Sequence, residues 1–153
     1  MSFETTKDVL DHVREFHHRL SEFYGGLSGN TGKERVKMLL DYLNRHEKHL
    51  EESLARYEEE VSEKILNARF QYPPPRELLN ICKGAVISGK EDLSLDGVIG
   101  IALNLDDCLI DLYKEMIKSS DLEEVKEVFN NLLEMEKREK LDLVRNALEL
   151  KDL

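Results

Sequence analysis

Two short stretches of this chain place side chains that could do chemistry at a spacing that lets them act together. "LNRHEKHLE" (43–51) sets His46 and His49 three residues apart, and "LEMEKREKL" (133–141) sets Glu136 and Glu139 at the same interval. Residues three apart are neighbours on a helix surface, so each pair offers two metal-competent groups in one direction. The residues around each pair follow an apolar helical stripe, which puts the polar pairs where a core should be. His17 and Asp106 interrupt two further stripes in the same way. Burying an unpartnered ionised group costs several kcal/mol or forces its neutralisation. The six groups His17, His46, His49, Asp106, Glu136 and Glu139 therefore need a common explanation, and a shared metal site supplies one. Imidazole suits zinc, iron or copper and carboxylate suits iron or manganese, so iron satisfies the whole set. Zinc is also easily held by a histidine-rich half. The competing explanation is a buried ion-pair network that sets helix register without a metal.

Four segments of sustained helical spacing must position these groups. The stripes run Leu10, Val13, His17, Leu20, Tyr24, Leu27; Val36, Leu39, Leu43, His46, Leu50, Ser53, Tyr57, Val61; Ile99, Ala102, Asp106, Leu109, Tyr113, Met116; and Val125, Phe129, Leu132, Glu136, Glu139, Leu143, Ala147. "GGLSGNTGK" reads as a turn between the first two helices, and "SSD" (119–121) as a capping signal before the fourth. Short turns make each pair an antiparallel hairpin. A crossover over about 63–94 contains "FQYPPPREL", whose prolines cannot continue a helix, and "RELLNICKGAVI", which reads as a short extra helix. The expectation is one all-α domain over 1–153, two antiparallel helical hairpins joined by a long crossover, which is a four-helix bundle plan. His17 then lies roughly 15 Å before the end of the first helix and His46 roughly 18 Å into the second, so folding the hairpin brings them level. Asp106 and Glu136 come level in the same manner. "FHHRLSEFY" (16–24) also matches "LDDCLIDLY" (105–113), and "LNRHEKHL" matches "LEMEKREK", an internal duplication of a one-plus-two ligand pattern.

These stretches resemble the ferritin-like superfamily, and its rubrerythrin-type branch in particular. "DLSLDGVIGIALNLDDCLIDLYKEM" resembles that branch's third helix, with Asp106 seven residues before Tyr113, and "VREFHHRLSEFYGGLS" is similar to its first. The resemblance implies a ferritin-like bundle with a buried di-iron site that reacts with dioxygen or peroxide. The family's ligands are one Glu from each of two helices and Glu-x-x-His from the other two. Here His17 and Asp106 stand at the single-Glu positions, and His46-x-x-His49 and Glu136-x-x-Glu139 stand at the paired ones. Only Glu136 and His49 keep the family's residue type. Three carboxylates leave two divalent ions with a net +1, and Glu136 is the one natural bridge. The implied site is an asymmetric pair, with a histidine-rich position (His17, His46, His49, Glu136) and an oxygen-rich one (Asp106, Glu136, Glu139). Two irons are the implied cofactor, with zinc open to the histidine-rich half. Turnover would draw on an external electron donor, since the chain has no C-x-x-C module. A non-catalytic zinc- or iron-binding protein and a metal-free helical interaction protein are the alternatives. A hemerythrin draws histidines from all its helices, whereas all five here fall within the first 49 residues.

Composition narrows the partners. The 153 residues are 35% charged with only three Pro and eight Gly, which suits long amphipathic helices. A net charge of −10 gives no electrostatic footprint for nucleic acid or an anionic membrane. The start, "MSFETTKDVLDHVREF", reads as neither signal peptide nor anchor, and a cytoplasmic protein is expected. A homodimer through a bundle face or the Pro-rich crossover is compatible with the pattern, with no specific residue pointing to it. Cys82 and Cys108 are expected as buried free thiols, Cys108 packing away from the face of Asp106. His12 and His18 fall off the core stripe and are expected in solvent, while Tyr24 and Tyr113 belong to the core.

Overall fold

The apolar stripes form helices that run further than their breaker residues suggest. The computed structural model describes residues 2–88 and 94–153 and is all-α. Among the described residues six helices follow in order: α1 (Thr6–Asn30), α2 (Glu34–Glu60), α3 (Glu63–Leu66), α4 (Glu77–Ser88), α5 (Leu95–Ser119) and α6 (Glu123–Lys151). Among the described residues the extended pairing is limited to two isolated bridges, Ser2 with Pro75 and Thr5 with Arg69. No helix there is long and apolar enough to cross a membrane. Positions 89–93 of the expected crossover lie outside the described residues.

Local chemistry starts the helices. The Thr5 hydroxyl accepts from the Asp8 amide at 3.1 Å, and the Ser94 hydroxyl accepts from the Gly97 amide at 3.0 Å, so α1 and α5 begin with satisfied donors. Two expected boundaries are corrected. The "GGLSGN" run is not a turn but the last turns of α1, which leaves only residues 31–33 to reverse the chain. A helical glycine costs about 1 kcal/mol relative to alanine, and close packing against α2 offsets it here. A Cβ on Gly25 would lie 2.9 Å from Asn44 Nδ2, and that amide donates to the Ser21 carbonyl. "SSD" ends α5 instead of capping α6. The Ser120 hydroxyl donates to the Met116 carbonyl at 2.7 Å, and α6 opens after Leu122 with no side-chain cap.

Helix α1 lies against α2 and α5 against α6, while α2 also touches both α5 and α6. One apolar cluster joins them, with Leu10, Leu39, Leu43, Leu105, Leu109, Phe129 and Leu132 all sealed from solvent. The prolines are pinned by the N-terminal segment. Phe3 is fully buried and its amide donates to the Pro74 carbonyl at 2.9 Å, while Arg76 pairs with Asp8 at 2.9 Å. The connection then lays α4 on α5.

That docking overturns the expectation of free thiols: Cys82 and Cys108 form a disulfide, with Cα atoms 5.7 Å apart. Leu79 and Cys82 are buried on the first half of α4. Ile101, Leu105, Cys108 and Leu112, spaced 4-3-4, make one stripe of α5. Where the two helices meet, their cysteines fall within bridging range, a proximity no spacing along the chain could reveal.

Candidate metal centre

The four long helices each send one buried ionisable residue to a common level. His17 stands thirteen residues before the end of α1, and Glu47 stands thirteen after the start of α2. Asp106 and Glu136 stand at the same two distances from the α5–α6 turn. All four are nearly solvent-free. His17 Nδ1 and Glu47 Oε2 are hydrogen-bonded at 2.5 Å, and His17 Nε2 lies 3.6 Å from Glu136 Oε1. His46 and Glu139 form a second pair beside this layer, with Nδ1 3.1 Å from Oε2.

His17, His46, Asp106, Glu136 and Glu139 thus fall in one neighbourhood, and His49 does not. His49 is exposed on the outer side of α2, and the buried α2 residue in its place is Glu47. The reason is rotational. Buried positions Leu40, Leu43, Glu47, Leu50 and Leu54 define the inward band of α2, and His46 sits at its edge. Three further residues turn the helix back by about 60°, which carries His49 out of the band. A sequence signal for Glu47 does exist. His17 to Glu47 and Asp106 to Glu136 are both intervals of thirty, so the duplicated pattern is more regular with Glu47 than with His46.

Burial shapes the electrostatics. It pushes the Asp106 carboxyl up to about 8, with the charges of Glu47 and Asp107 adding to the shift and Lys140 opposing it. It also holds the Glu136 carboxyl well above the usual carboxylate range; His17 works against that, and Asp106, Glu47 and Glu139 reinforce it. For His17, burial alone would disfavour the charged ring, but the charge and hydrogen bond of Glu47, with Glu136 behind, outweigh it and leave the pKa raised. Tyr24 and Tyr113 are fully buried, and burial with the nearby Glu47 and Asp106 keeps both hydroxyls protonated.

These directions fix the pH response of the metal-free protein. Asp106 binds its proton up to about pH 8 when folded but only to about pH 4 when unfolded. Its stabilising contribution is therefore complete below about pH 4 and is lost as pH rises toward 8. Raised His17 has the same sign, its contribution fading as pH climbs through the folded value above 6.5. In chelator, thermal melts followed by circular dichroism should give a higher Tm at pH 5.5 than at pH 8.5, and Asp106→Asn should flatten that slope. A wild-type Tm that rises with pH over this interval would contradict the assignment.

Four polar atoms in the neighbourhood are buried with no hydrogen-bond partner: His17 Nε2, His46 Nε2, Asp106 Oδ2 and Glu136 Oε2, one from each long helix. Each such orphan costs about 1–3 kcal/mol. Both histidines engage a glutamate through Nδ1, which leaves Nε2 available as a lone-pair donor. That is how a carboxylate orients an imidazole for a metal. The donor set fits a transition-metal ion. As the side chains stand, no three His, Cys, Asp or Glu among the described residues are drawn close enough to hold one. No family model matches the chain, and no curated protein or solved structure does either.

Proposed function

We propose that α1, α2, α5 and α6 act as a ferritin-like four-helix bundle of the rubrerythrin type, binding two irons in the buried layer and reacting with dioxygen or peroxide. The observation that carries this reading is the set of four orphaned atoms, two imidazole nitrogens and two carboxylate oxygens. Register alone needs no unsatisfied atoms, and a fully paired layer would serve it better. Replacing His49 by Glu47 also changes the charge count. Glu47, Asp106, Glu136 and Glu139 give four carboxylates, which neutralise two divalent ions, where the sequence pattern offers three. Iron, when bound, supplies the electrons and the open coordination position for this chemistry. The chain's own residues do the rest. Glu47 and Glu139 orient the imidazoles, Leu43, Leu50, Leu109 and Leu132 exclude water, and reducing equivalents come from an external donor.

A second reading is favoured by the 2.5 Å His17–Glu47 bond, a closed ion pair that could set helix register in a metal-free protein. Elemental analysis of untagged protein by plasma mass spectrometry separates the two. Two irons per chain, or iron plus zinc, are expected, with content falling sharply in His46→Ala and Glu136→Ala. His18→Ala and His49→Ala, both on the surface, should match wild type. A chain that stays metal-free after anaerobic reconstitution is an ion-pair layer.

A further inference from the structure

The layer is not sealed equally on all sides. Side-chain exposure is 1% at His17 and 2% at Glu136, but it rises to 6% at His46 and 17% at Glu139. Solvent therefore approaches the polar residues from the side where α2 meets α6. Helix α5, by contrast, is packed against α4 and tied to it by the Cys82–Cys108 disulfide.

At the α2–α6 seam the ring of Tyr42, one turn before His46, lies 5.4 Å from the imidazole at a tilt of 31°. Tyr42 is half-buried, and the carboxylates that act on its hydroxyl are Glu139, Asp142 and Asp106, in that order. Glu139 and Asp142 are one turn apart on α6, so they share a flank. Asp142 is 55% exposed, and its ion-pair contact is a loose one, 3.8 Å from Arg145. Behind them, His46 Nε2 is buried and has no partner. The series Asp142, Glu139, His46 thus leads from solvent to the orphaned atoms, with the Tyr42 ring beside its innermost member.

We propose that this seam is the uptake route for a divalent cation: Asp142 and Glu139 attract and first hold the ion, His46 passes it inward, and the Tyr42 ring is the cover that must swing aside. The proposal rests on the metal-binding reading above. Exposed carboxylates along a route raise the local concentration of cations and speed their capture, an effect that salt suppresses. The ring acts on rate alone, because it offers no ligand in the layer.

The experiment is stopped-flow mixing of chelator-treated protein with Co²⁺, followed by the visible absorption of the bound ion. Tyr42→Ala should accelerate loading several-fold without changing the final cobalt content, whereas Tyr42→Phe, which keeps the ring, should load like wild type. Asp142→Asn should slow loading about threefold at low salt and converge with wild type near 1 M salt, where charges are screened within about 3 Å. Glu22→Gln, on the exposed outer face of α1, is the control and should change nothing. Cobalt that binds at rates indifferent to Tyr42→Ala and Asp142→Asn overturns the route and leaves the metal site standing. Wild-type protein that binds no cobalt overturns both.

Discussion

His17→Ala is expected to lower the unfolding free energy of the metal-free protein by about 3–5 kcal/mol near neutral pH. The buried imidazole faces both Glu47 and Glu136, and it is hydrogen-bonded to the first. Removing it leaves two carboxylates in a dry layer with no positive partner, and that accounts for most of the loss. Glu136 softens it by taking a proton, since burial and its neighbours already hold its carboxyl well above the usual range. His18, the next residue, is a sharp control. Its ring meets Glu22 and Glu51 on the surface, so His18→Ala should leave stability as it was. Denaturant titrations of the three proteins in chelator decide the matter. Equal midpoints for His17→Ala and wild type would mean that the buried pair contributes nothing. Under the proposed metal-binding reading the same substitution also reduces metal content after reconstitution, because it removes one of the orphaned nitrogens.

Opening the Cys82–Cys108 disulfide should cost a comparable amount. The bridge closes a segment of 26 residues, and constraining a loop of that length stabilises the folded state by about 3–4 kcal/mol on chain-entropy grounds. A guanidinium midpoint lower by roughly 1 M is expected when the protein is reduced, and also in the Cys82→Ala/Cys108→Ala double variant. The loss should centre on α4, which packs on α5 and is bonded to it at Cys82. Hydrogen exchange would show the α4 amides losing protection before those of α1 and α2. Coincident midpoints for oxidised and reduced protein would show that apolar contacts alone hold α4 in place.

Much of this architecture was legible in the sequence. The 3-4 spacing of Leu10, Val13, Leu20 and Tyr24, and its counterparts in the other three stripes, determines four long helices, because a stripe that must be buried dictates which face turns inward. The same spacing showed that His17, Asp106 and Glu136 would be dry. Counting residues from each hairpin turn brings them level, since helical rise is a constant of the backbone.

Tertiary structure decided the rest, in each case through an interaction between elements. Gly25, Gly26 and Gly29 read as a turn because their intrinsic preference opposes a helix. All three lie within α1, and at Gly25 the reason is packing on α2, since a Cβ there would come within 2.9 Å of Asn44 Nδ2. His49 and Glu47 are both polar residues next to a stripe, and periodicity alone ranks them by their spacing from His46. Which one faces inward depends on where α1 and α6 bear on α2, and that docking rotates Glu47 onto His17 while leaving His49 in water. Cys82 and Cys108 have no diagnostic spacing, and their bridge follows from α4 lying along one stripe of α5. The sequence by itself determined the helices and the residue types available to a buried site. Packing chose which of those residues meet, because a helical period defines a face only to within about one residue's rotation, and neighbouring helices select within that margin.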